Sequence, residues 1–175
     1  MRNAIFGLLA AVALVGCGNS GGGDKSAGSG APGSDKAGGG DGLVAVELNP
    51  LPLKIKVPPG GLGAMDMSMG EAKSVTVDIG GGASLNISEA DKDFAAVKKQ
   101  YQGDTILFPF KKWAKEGADL AILEFSNEGK TGYIGFVQKT VGGKKYLCKT
   151  TGLDGVPSAD VAEKNLKTCD SLAAK

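Results

Sequence analysis

Three methionines at alternate positions, Met65, Met67 and Met69, form the sharpest chemical pattern in the chain. On an extended strand they would project to one face, about 6–7 Å apart at successive positions. Thioethers are soft ligands, and three on one face could hold Cu(I), which selects sulfur. Methionine also fills irregular patches of core. The pattern therefore leaves two readings open, a copper-binding or copper-delivery site and plain packing. The chain has no His, which removes the commonest general base and most zinc sites.

Catalysis would fall to carboxylate pairs or Ser–Lys combinations, and neither has a recognisable spacing here. Asp91 and Asp93 are two apart at the expected start of a helix. There they face different directions and suit the helix dipole better than a shared proton. The Asp-x-Asp lacks the glycine and later ligands of a calcium loop. No serine sits in Ser-x-x-Lys, and from Leu43 onward none sits in Gly-x-Ser-x-Gly. Glu116 and Asp119 follow Lys111, Lys112 and Lys115, and Lys144, Lys145 and Lys149 cluster further on; both groups read as solvated faces, the second with contact to anionic lipid headgroups as its alternative. Gly60-Gly61 and Gly80-Gly81-Gly82 lack the Lys-Ser/Thr or following helix of a phosphate loop and read as turns. The expectation is a protein with no catalytic residues. A hydrolase using a Ser–Lys or carboxylate pair that spacing does not reveal is the remaining enzymatic reading.

The elements that would position these residues begin with the first 17. Arg2 precedes an apolar run from Ala4 to Gly16, which ends on small residues before Cys17. This is the layout of a secretory signal, and the run is shorter than the roughly 20 residues of a membrane-crossing helix. Leu14-Val15-Gly16-Cys17 resembles the lipobox of bacterial lipoproteins. The resemblance implies that residues 1–16 are a cleaved signal peptide and that Cys17 is acylated with fatty chains, anchoring the protein in a membrane. Gly18 and Asn19 follow where an Asp would stand in inner-membrane enterobacterial lipoproteins, which implies the outer membrane. The folded part would then be extracytoplasmic, with an envelope protein or component as partner.

Charge and cysteine counts agree with that placement. The only Arg is Arg2, so the exported chain would carry 19 Lys against 19 Asp+Glu. Without Arg it lacks the planar fork suited to phosphate and base-edge contacts, and nucleic acid is not an expected partner. Three cysteines are an odd number for an exported protein. With Cys17 acylated, Cys148 and Cys169 remain, and export favours a disulfide between them.

Eleven of the 29 glycines lie between Gly18 and Gly42. Residues 17–42 contain no large apolar side chain and are expected to form a disordered Gly/Ser-rich tether, spanning roughly 25–30 Å as a coil. From Leu43 the pattern changes. Val44, Val46 and Leu48 alternate with polar residues, as do Leu53, Ile55 and Val57, then Val75, Val77 and Ile79, the last run entering a hairpin with Leu85 and Ile87. Ser88-Glu89-Ala90-Asp91 has capping-box spacing, and Ala90, Phe94, Val97 and Tyr101 recur at helical spacing, predicting a helix from about Glu89 to Gln102. Ile106-Leu107-Phe108 could be a strand, and Phe110 to Lys115 a turn or two of helix. Strands are expected over 119–126, 132–141 and 144–150. Ser158 caps a last helix, with Ala162, Leu166, Cys169 and Ala173 on one face. The order predicts one α+β domain over 43–175, a mainly antiparallel sheet with two helices packed on one face. Its layout is similar to PsbP/Mog1-like domains.

Overall fold

A computed structural model describes residues 42–175 of the chain. The expected signal peptide, Cys17 and the tether up to Asp41 lie outside the described residues. The described part is built mainly of antiparallel strands with two short helices, as the α+β reading expects. Its strands are β1 (Val44–Glu47), β2 (Leu53–Val57), β3 (Ala64–Asp66), β4 (Ser74–Gly80), β5 (Ala83–Glu89), β6 (Phe110–Glu116), β7 (Leu120–Asn127), β8 (Lys130–Val141), β9 (Lys144–Thr150) and β10 (Ala173–Ala174). Helix α1 is Phe94–Gln102 and α2 is Ala159–Leu166. No helix among the described residues is long and apolar enough to cross a membrane.

Seven strands form one sheet in the order β3-β4-β5-β9-β8-β7-β6, and β1-β2-β10 form a second, smaller one. Strand alternation divides the core in two. On one face of the large sheet, Val75, Val77, Leu85, Ile87 and Cys148 pack with Leu53, Ile55 and Val57 of β2 and with Leu166. Lys54 and Lys56 alternate with the buried β2 residues and stay exposed, so the small sheet has one dry side. Burying each such aliphatic side chain contributes roughly 1.5–3 kcal/mol. On the other face, Phe94 and Val97 of α1 pack with Ala121, Leu123, Phe125, Ile134 and Phe136. Tyr101 stacks on Phe136 with ring centroids 4.8 Å apart.

The helices therefore cover opposite faces, correcting the one-face expectation. Gly135 on β8 faces α2, where an added Cβ would lie 2.8 Å from Leu166 Cδ1 and 3.2 Å from Ala162 Cβ. Its strand neighbours Ile134 and Phe136 face α1. The near-continuous apolar run of β7, Leu120 to Leu123, was the sequence signal of a strand covered on both faces, in contrast to the alternation of β2.

Three local expectations are also corrected. Helix α1 starts at Phe94, not near Glu89, because Ser88 and Glu89 pair with Leu147 and Tyr146 of β9. The helix cap is Asp93, whose Oδ1 accepts the Ala96 N–H at 2.9 Å, and Ala90 lies outside the helix. Segment 110–116 is a strand with two bulges, between Phe110 and Lys112 and between Trp113 and Lys115. Each bulge adds a residue, so Phe110 and Trp113 reach the same face three positions apart and imitate helical spacing. Residues 106–108 are not a strand. Helix α2, capped by Ser158 as expected, ends at Leu166. A 3-10 turn over Lys167–Ser171 follows, and Ala173 belongs to β10, paired with Lys54.

Cys148 and Cys169, both buried, lie at disulfide distance with Cα atoms 6.5 Å apart. They link β9 to the 3-10 turn across the first core.

Candidate binding edge and groove

The large sheet has two edges of opposite character. At one, β6 carries Lys111, Lys112 and Lys115 and is bent by both bulges, devices that prevent further strand pairing. Lys98 of α1 reaches Glu116 at 2.7 Å and Lys115 reaches Glu163 of α2 at 2.6 Å, so this edge is tied to both helices. The lysine-rich stretch is paired with acids and is not simply a solvated face.

At the other edge, β3 is short and open. The Asp78 N–H donates to Gly63 O at 3.1 Å and the Met67 N–H to Ser74 O at 2.8 Å. Antiparallel alternation then turns the backbone N–H and C=O of Ala64 and Asp66 away from β4. Met65 pairs with Thr76, and Met69 bridges to Ala72, so Met65, Met67 and Met69 continue one ladder at alternate positions. All three are exposed. These methionines do not fill the core; they form an apolar rail along the edge.

Beside the rail lies a groove of about 310 Å³, lined by Leu62, Met65, Thr76, Asp78, Ala83 and Ser84. It occupies the part of the α1-side face that α1 does not reach. Its walls are mainly apolar, with one carboxylate. Hydrogen bonds from the Leu62 N–H at 3.1 Å and the Gly80 N–H at 2.7 Å hold Asp78 below the usual carboxylate range. Ser68, through its hydroxyl and its backbone N–H, does the same for Asp66. Asn86 donates to Ser74 Oγ at 2.8 Å and Thr76 Oγ1 at 3.3 Å, which fixes the hydroxyls on the groove side of β4.

The remaining residues singled out in the sequence are not brought together. Asp93 caps α1 while Asp91 precedes it. Gly60 and Gly80–Gly82 take positive φ in turns. Lys144 lies 3.8 Å from Glu89 and Lys149 lies 5.9 Å from the Tyr101 ring, so those two lysines do not act as a unit. Cys17 lies outside the described residues. Among the described residues, no three His, Cys, Asp or Glu side chains gather as a metal site.

One charged group escaped the sequence reading. Glu124 is only 5 % exposed, and its carboxylate receives Lys111 at 2.6 Å and Lys112 at 3.3 Å. The hydrogen bond from Lys111 chiefly holds its pKa below the usual glutamate value and raises that of Lys111. An acid inside the apolar run Leu120–Phe125 was the available signal.

These features describe a two-sheet α+β domain with one blunted and one open sheet edge. No protein-family model matches the chain, and comparison with curated proteins and with solved structures gives no match.

Proposed function

We propose that this is a non-enzymatic binding protein of the bacterial cell envelope, anchored through a lipid on Cys17, which takes up an extended segment of a partner protein along β3. The open β3 edge beside an apolar groove carries this reading. Main-chain groups of Ala64 and Asp66 would extend the ladder, and the groove would accept an alternate side chain of the added strand. Asp66 and Asp78, kept ionised, favour a basic residue in that segment. A photo-crosslinker at Met65, compared with one at Lys115 on the blunted edge, tests this in intact cells. Capture of one specific partner through position 65 alone is expected; equal capture from both edges, or none, overturns it.

The exposure and alternate placement of Met65, Met67 and Met69 favour a second reading, Cu(I) binding or delivery. Three accessible thioethers on one face suit a soft ion. Titration with Cu(I) separates the two, since strand addition needs no metal.

A further inference from the structure

Nine large apolar side chains are exposed among the described residues, and their positions are not scattered. Three are the methionines of the β3 rail. The other six, Leu43, Val44, Leu62, Ile106, Leu107 and Leu153, gather at one end of the domain. The strand registers establish this. Phe110, just after the 106–109 segment, pairs with Phe125 near the end of β7. Leu153 follows β9, whose Thr150 pairs with Leu85 at the start of β5. Leu62 precedes β3, whose Ala64 pairs with Val77 on the Gly80 side of β4. In the small sheet, Val44 pairs with Val57, and Pro58 lies 3.8 Å from where a Gly80 Cβ would stand. The chain thus enters the fold at this same end. Lys144 and Lys145 stand at the opposite end, where β8 turns into β9.

Ile106 and Leu107 are held outward by the fold. Both backbone N–H groups donate to Asp104 Oδ1 at 2.9 Å, and Phe108 packs edge-on to Phe125 at 5.2 Å. Two bulky side chains thus project from a fixed turn, Ile106 at 81 % exposure; Leu62 is 95 % exposed and Leu153 75 %.

We infer that this end is a membrane-docking face, seating Leu62, Ile106, Leu107 and Leu153 in the interfacial region of a lipid bilayer. The described fold begins at this apolar end, and the 26 residues from Cys17 to Gly42 lie between it and the proposed anchor. The inference rests on the lipid-anchor reading of Cys17. A Gly-rich coil of that length gives an effective concentration on the order of millimolar. A patch too weak to bind lipid from solution would therefore still be occupied. Apolar side chains at the headgroup boundary lose water-exposed area without crossing the bilayer. Docked this way, the domain would keep the far end with Lys144 and Lys145 away from the lipid.

The full chain, purified from membranes and reconstituted in phosphatidylcholine/phosphatidylglycerol vesicles with bromine on the acyl chains, tests the docking. Ile106→Trp, Leu62→Trp and Lys145→Trp are each compared with the parent, whose Trp113 sets the baseline. Loss of most of the added fluorescence at 106 and 62, with none at 145, is the expected result. Chains that float with the vesicles but keep that fluorescence at 106 and 62 overturn the docking and leave the anchor standing. Chains that do not float overturn both. Crosslinks between copies through position 106, without quenching, assign the face to self-association and overturn the docking.

Discussion

Lys111 and Lys112, neighbours in sequence, both reach the one carboxylate of Glu124 because a bulge in β6 sets two residues opposite one. Without it they would point to opposite faces of the sheet. The folded state holds Glu124 below its ordinary value of 4.5. Its contribution to stability is therefore fully present above that value and is lost as pH falls from 4.5 through the lowered folded pKa. Glu124→Gln is expected to lower the melting temperature modestly at neutral pH, with the gap to the parent closing in acid. Thermal unfolding of both chains between pH 3 and 8 checks this, and a gap that does not change with pH would rule it out.

The linked cysteines give a larger effect. Cys148 and Cys169 are 21 residues apart, and closing such a loop in the unfolded chain is worth about 3 kcal/mol in the chain-entropy model. Replacing both by Ala, or reducing the protein before denaturation, should move the urea midpoint down accordingly. Equal midpoints with and without reductant would show that the bond is not formed in the purified protein.

Gly135 is set by close approach and not by a turn. Gly135→Ala should cost about 1–3 kcal/mol through overpacking against α2. Leu166→Ala alone should also destabilise, by leaving a cavity. Combined, the two should cost less than their sum, because each relieves the other. A double-mutant cycle on urea unfolding measures the coupling, and strict additivity would contradict the contact.

At the open edge, Ala64→Pro removes an N–H that faces away from β4 and should leave the fold nearly intact while abolishing partner capture. Met65→Leu, Met67→Leu and Met69→Leu keep the apolar rail but remove sulfur, so they should spare partner capture and weaken any Cu(I) binding. Crosslinking yield through position 65 on the Ala64, Met67 and Met69 variants, with Cu(I) titration on all four, separates strand addition from metal binding.

Much of the fold was legible where one face of a strand is dry. Leu53, Ile55 and Val57, or Val75, Val77 and Ile79, announce themselves by alternation. Segment 110–116 was not legible, because bulges change the period and make Phe110 and Trp113 look helical. The start of α1 was misplaced for another reason: Ser88 and Glu89 have capping spacing, but pairing with β9 takes their backbone groups. At the C-terminal side, Ala173 continued the periodicity of α2 only by coincidence, since Leu172 turns the chain into a strand. The methionines were conspicuous, but their exposure depends on β3 being an edge, which no local pattern states. Glu124 was passed over because its lysines lie in a neighbouring strand.

The small sheet has a consequence for the order of events in synthesis. Its middle strand β2 is flanked by β1 from the beginning of the domain and β10 from residues 173–174, and Cys169 must arrive before Cys148 has anything to join. A nascent chain interrupted before residue 166 would lack Leu166 and Cys169, two buried members of the first core. Late closure of that core would suit the export proposed for this protein, in which a chain is threaded unfolded through a narrow pore before it sets.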